Sequence, residues 1–196
     1  MTVTPAQAAG YRYWSFWERD GKQAWTYATA GPSQAKPADG DVQGFRFAVS
    51  ADSKDAKQPR GAADFDSICS DRPAKDGTKR IALVVDFGTG ADAPSGETPP
   101  KPRTACAQVA KDATSADALA SVAKPLRYDS SAMLCAISGY PKSGCGEQVS
   151  GKKTDKASAQ PAEKEDSGPS VGLIAGVAVV VVLGVAAGVQ ARRRRG

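Results

Sequence analysis

Four carboxylates, Asp64, Asp66, Asp86 and Glu97, are the side chains of this sequence best suited to acid–base chemistry, and there is no histidine to share it. A glycan hydrolase built on such groups needs a pair in which one member sits in a desolvated setting that raises its pKa. Asp64 and Asp66 flank Phe65, and the competing reading is a solvated helix cap ahead of Ile68 and Cys69. Absence of histidine removes the commonest general base and zinc ligand, together with every Ser-His and Cys-His nucleophile. The glycines of GTGADAPSGETPPKPR, residues 88–103, lack both the lysine and the following helix of a phosphate-binding loop. The sequence therefore predicts no catalytic residues, no metal site and no cofactor, with a carboxylate-based extracellular enzyme as the alternative.

Cys69, Cys106, Cys135 and Cys145 contain no CxxC pair, which argues against a zinc ribbon or a thioredoxin-like site. In an oxidising compartment four cysteines read as two disulfides. Three pairings are open. Gly139, Tyr140, Pro141, Ser143 and Gly144 form a turn that favours Cys135 with Cys145, leaving Cys69 with Cys106.

The aromatic residues are concentrated near the start. YRYWSFWERDGKQAWTYAT places two aromatic runs around Asp20-Gly21, a strong two-residue hairpin signal. A turn there pairs Arg19 with Lys22, Phe16 with Trp25 and Trp14 with Tyr27, making Trp14, Phe16, Trp25 and Tyr27 the core face. The other face then carries Tyr11, Tyr13 and Trp17 beside Ala24, Thr26 and Ala28. That shallow aromatic shelf is a candidate ligand surface for a sugar or planar molecule.

Further strands are expected at Val42–Ser50, with Phe45, Phe47 and Val49 on one face, and at Arg80–Phe87, where IALVV suits a central strand. Thr114 and Asp117 form a capping box opening a helix in which Leu119 and Val122 share a face and which Pro125 ends. Met133–Ile137 reads as a last buried strand.

Composition divides the chain. Residues 9–149 hold nearly all the aromatics and all the cysteines and read as one extracytoplasmic folded domain. Residues 150–170 are charged and Pro-bearing, without large apolar side chains, and are expected to be a disordered linker. Residues 171–190 are expected to be a transmembrane helix, since the nineteen uncharged residues Val171 to Val189 are long enough to cross a bilayer core. Arg192, Arg193, Arg194 and Arg195 make 191–196 a cytoplasmic basic tail and set the topology, with the N-terminal domain outside. Residues 1–8 read as the remnant of a signal peptide: Ala6-Gln7-Ala8 before Ala9-Gly10 is a cleavage pattern whose basic and apolar front half is expected upstream of Met1. The chain has 26 Lys+Arg and 21 Asp+Glu, and without the four terminal arginines 22 remain against 21. The alkaline balance thus belongs to the tail, and nucleic acid is not an expected partner.

The order of strand RIALVVDFG, strand ACAQVA, helix ATSADAL and strand MLCAISGYP, over about Lys79 to Cys145, resembles the β-grasp module found at the end of cobalamin carriers such as transcobalamin and in bacterial exported relatives. YRYWSFW, the four cysteines and the anchor together resemble an uncharacterised family of actinobacterial exported, C-terminally anchored proteins, with members near energy-coupling-factor transporters. The resemblance implies an α+β fold, mostly antiparallel β with one or two short helices and a β-grasp-like second half. It carries over no ligand-contacting residue. The expected function is a non-catalytic binding or accessory module in the plasma membrane, serving a small-molecule uptake system. Its expected partners are the membrane, a transporter or other envelope protein, and a small-molecule ligand.

Overall fold

Alternating bulky residues in YRYWSFW suit a pleated strand with both faces covered, and the computed structural model, which describes residues 9–19 and 24–150, places them in β1, Ala9–Arg19. The expected signal remnant at 1–8, and the linker, membrane span and basic tail expected beyond Ser150, lie outside the described residues. Among the described residues no helix is long and apolar enough to cross a membrane.

The principal sheet runs β2 (Trp25–Tyr27), β1, β3 (Val42–Ser50), β4 (Thr78–Asp86) and β5 (Arg103–Ala110), with β8 (Gln148–Ser150) also pairing with β1. Only β3 and β4 are parallel. A separate antiparallel pair joins β6 (Leu126–Tyr128) to β7 (Leu134–Ile137). Among the described residues, two short α-helices, α1 (Phe65–Ile68) and α2 (Ser115–Val122), and a 3-10 turn at Ser53–Asp55 complete a mainly β architecture.

One face of the sheet carries Trp14, Phe16, Phe45, Phe47, Ile81 and Leu83, closed by Leu119 of α2 and by Leu134, Ile137 and Tyr140. Stacked Phe16 and Phe45, with ring centroids 5.0 Å apart, continue that face across β1 and β3. α2 forms where the sequence places it. Thr114 Oγ1 accepts from the Asp117 amide while the Asp117 carboxylate accepts from the Thr114 amide, a box that stabilises the helix by about 1 kcal/mol.

The opposite face is crossed by residues 51–69. Val42, Ala82 and Val84 meet Ala63, Phe65, Ile68 and the Cys69–Cys106 disulfide. Gly44 is required here, since a Cβ would come within 2.6 Å of Pro59 and 2.8 Å of Trp25. The second disulfide joins Cys135 to Cys145. Cα separations of 5.0 and 4.5 Å fit normal bridge geometry, and both pairings agree with the sequence reading.

The first hairpin departs from expectation. β1 pairs with β2 through Trp17↔Tyr27 and Arg19↔Trp25, so Asp20–Ala24 separate the strands in place of a two-residue turn. The register is displaced by three residues, and an odd displacement turns side chains to the opposite face. Trp25 and Tyr27 therefore join Trp17 and Arg19, while Trp14 and Phe16 keep the main core face.

Candidate functional site

The interior holds two concentrations of polar groups, one at the end of β3 and β4 and one at the outer edge of β1. At the first, Arg46 is 3% exposed and bridges two buried carboxylates, Asp86 and Asp92. Arg60 adds three bonds to Asp86 of 2.8 to 2.9 Å, two from its guanidinium and one from its amide, and the Gly88 amide adds a fourth at 3.1 Å. Asp92 accepts from Arg46, Lys57, the Val49 amide and both the amide and hydroxyl of Thr89. Gly88, at φ +89°, makes the turn between the two acids, where a Cβ would lie 2.5 Å from the Phe47 carbonyl oxygen. Burial works to raise the Asp86 pKa, but the Arg60 and Arg46 guanidiniums and the Gly88 amide outweigh it and hold the carboxyl at about 2. A carboxylate so committed is a structural tie, with neither a free lone pair nor the raised pKa of a general acid.

The second concentration is formed by what the sheet leaves unpaired. On the outer edge of β1, β8 covers residues 9–11 and β2 covers 17–19. The Arg12 amide donates to the Glu147 carbonyl and the Phe16 carbonyl accepts from the Ala28 amide, both at 3.0 Å. Since residues two apart on a strand direct their backbone groups to the same side, Trp14, midway between, also presents its N–H and C=O to this edge. Neither has a partner among the described residues, and the buried Trp14 indole N–H also lacks one.

A slot of about 320 Å³ runs along that edge. Tyr13 and Tyr27 line it, as do Trp14, the loop from Ala28 to Pro32, and Met133, which is 42% exposed. α2 holds that loop, because the Ser115 amide donates to the Ala35 carbonyl at 2.9 Å and the Ala116 amide to the Pro32 carbonyl at 2.8 Å. Burial, then the neighbouring Tyr27, pushes the Tyr13 phenol up to about 12, so Tyr13 keeps its proton at physiological pH.

Of the residues predicted for the ligand surface, Tyr11 is 46% exposed, Tyr13 is half-buried in the slot wall and Trp17 is only 5% exposed. Trp17 stacks edge-on against Tyr27 at 5.2 Å and donates its indole N–H to Ser15 at 2.8 Å, which withdraws it from any open shelf. The shelf as predicted is thus broken at Trp17, because the displaced β2 lays Tyr27 over it. Tyr27, Met133 and the Trp14 backbone were missed. The edge-pairing gap that leaves the Trp14 main chain unpaired depends on β2 and β8, the latter more than a hundred residues distant.

The carboxylate candidates fall into three settings. Asp64 caps α1 by accepting from the Ser67 amide and hydroxyl, Asp86 is in the ionic cluster, and Glu97 accepts from the Lys142 amide. Asp64 and Asp66 also line a second cleft of about 520 Å³, with Arg19, Val42, Ala63 and Phe65. It is larger than the slot, but its Arg19 donates to the Ala63 carbonyl and its Asp64 is the helix cap. Ligand atoms of Asp129, Cys135 and Cys145 lie within 4.8 Å of one another, yet the two sulfurs are bonded to each other and offer no thiolate to a metal. Arg192 to Arg195 lie outside the described residues.

No match to the chain is found among curated proteins or among solved structures. A family model does match residues 6–150, a range that holds the whole sheet, both disulfides, the ionic cluster and the slot, and the chain belongs to the family of SCO2322-like domains.

Proposed function

We propose that this chain is a non-catalytic extracytoplasmic binding or accessory module, anchored in the plasma membrane by residues 171–190 and serving a small-molecule uptake system. The observation that carries the binding role is the slot on β1, where a half-buried Tyr13 and Tyr27 stand beside backbone groups with no partner among the described residues. Pockets that take small molecules are concave and largely apolar, with a few fixed polar groups, and 320 Å³ lies at the small end of their range. The succession β4, β5 and α2 supports a likeness to the β-grasp module of cobalamin carriers, whereas β6 and β7 after the helix pair with each other outside the principal sheet. In those carriers the module helps clamp a corrinoid, whereas a slot of this size suits a smaller ligand.

The test is purification of the full-length chain in mild detergent, with mass spectrometry of co-purified small molecules. A bound species retained by the native chain and lost in Tyr27→Ala is expected. Turnover of a substrate would overturn the non-catalytic reading. The carboxylate-enzyme alternative has one observation in its favour, the placement of Asp64 and Asp66 on the larger cleft. It requires activity that disappears in Asp66→Asn. Topology is tested separately: protease added to intact cells removes residues 9–149 if they lie outside, and leaves them intact if they do not.

A further inference from the structure

The geometry points to a more specific ligand for the slot: a short peptide in extended conformation, held by the Trp14 main chain as one residue of an antiparallel pair. This rests on the slot being the binding site. Trp14 N–H and C=O belong to successive peptide units yet face the same edge, so their complement must offer a C=O and an N–H that also face one way. One amino-acid residue flanked by two amides does this. A lone trans amide, such as that of an acetamido sugar, points its N–H and C=O in opposite directions and meets only one of the two groups.

The flanking strands limit the length. β8 ends its pairing at Tyr11 and β2 begins at Trp17, so an incoming chain has only residues 12–16 of β1 beside it. Within that stretch Arg12 N–H and Phe16 C=O are already bonded, to Glu147 and Ala28, which leaves Trp14 as the pairing residue. The walls suit side chains that alternate to either face of such a strand. Tyr13 and Tyr27 stand on one side, while Ala132, Met133 and Leu134 stand on the other. Strand addition at an open sheet edge is a general mode of peptide recognition, in which main-chain bonds supply affinity and flanking pockets supply selectivity.

The experiment uses the ¹⁵N-labelled full-length chain in detergent micelles, titrated with N-acetyl-alanine methylamide, a single residue flanked by two amides. Its depsipeptide analogue, in which ester oxygen replaces the alanine N–H, and N-acetylglucosamine serve as comparison probes. The peptide is expected to shift the Trp14 amide resonance saturably. The ester, which sets an oxygen lone pair against the Trp14 carbonyl, is expected to bind about tenfold more weakly. Ala30→Trp, which fills the slot from an exposed position on its wall, is expected to abolish the shift. Equal binding of peptide and ester, or peptide binding undiminished in Ala30→Trp, would overturn the inference. So would failure of the peptide to bind. Shifts of Tyr13 and Tyr27 with N-acetylglucosamine alone would overturn peptide recognition while leaving the slot as the ligand site.

Discussion

The ionic cluster around Asp86 and the slot beside Trp14 lie in one sheet, and Ser15, whose hydroxyl donates to the Arg46 carbonyl, links their strands. Both place polar groups in the interior, but they resolve the cost of burial differently. All four carboxylate oxygens of Asp86 and Asp92 accept hydrogen bonds, and of the buried side-chain atoms in the cluster Arg46 Nε alone lacks a partner among the described residues. At Trp14 an amide, a carbonyl and an indole N–H all lack a partner among the described residues. Buried polar groups are normally satisfied, so the paired set is a structural tie, while the unpaired set is the observation on which the proposed binding site rests. Titratable side chains alone direct attention to the first of these.

The largest expected effect comes from breaking the tie. Asp86→Ala leaves Arg46 buried without one of its two counter-charges and should destabilise the domain by about 3–5 kcal/mol, as removal of one member of a buried ion pair does. Chemical denaturation of the full-length chain, followed by tryptophan fluorescence, measures it. A loss under about 1 kcal/mol would show that the cluster is ornamental, and the comparison would fail at its first term.

The same carboxylate gives a smaller, pH-dependent effect. Its folded pKa of about 2 is depressed below the unfolded value near 3.9, so the stability it contributes is present above pH 4 and lost as pH falls toward 2. The amount is about 2–3 kcal/mol at 1.36 kcal/mol per pKa unit. Asp92 is depressed in the same direction, because Thr89, Lys57 and the Val49 amide outweigh its burial. Acid titration of denaturation midpoints should show the loss in the native chain, and Asp86→Ala should lose the Asp86 share of it.

How much of this was legible in the sequence follows from the range of each interaction. β3, α2 and both disulfides were readable because alternation, a capping box and a turn between cysteines are local patterns. Hairpin register was not, since Asp20-Gly21 has the chemistry of a tight turn while the observed pairing leaves Asp20–Ala24 between the strands. That three-residue displacement moved Tyr27 from the predicted core face to the slot wall. The cluster was hidden by distance, with Arg46, Arg60, Asp86 and Asp92 spread over 46 positions. One signal was available: Arg46 sits inside FRF, and Asp86 closes IALVVD, and charges embedded in buried strands require partners.

A third effect, near 1 kcal/mol, joins the helix to the slot. Thr114→Ala removes the cap of α2, whose first turn anchors the loop from Ala28 to Pro32 through Ala35 and Pro32. Global stability should fall by about that amount. Hydrogen exchange at Ala28–Ala35 should rise more than at β4. Equal acceleration across the sheet would mean that the loop is held independently of the helix.

The smallest expected change in stability is at the slot itself, where Tyr13→Phe deletes one hydroxyl beside Tyr27 and Ser50 and should cost about 0.5 kcal/mol. Because that phenol titrates at about 12, the substitution removes no charge at any pH below 10, and effects on binding there cannot be assigned to altered electrostatics. It should also delete one late step from the alkaline titration followed at 295 nm, leaving Tyr140, likewise raised to about 12 by its burial, as a late-ionising residue. If the slot is a ligand site, Tyr13→Phe weakens the bound species seen with the native chain while the unfolding curve scarcely moves. The opposite outcome, marked destabilisation with unchanged ligand, would place Tyr13 with Asp86 as a part of the scaffold and would erase the distinction between the two regions.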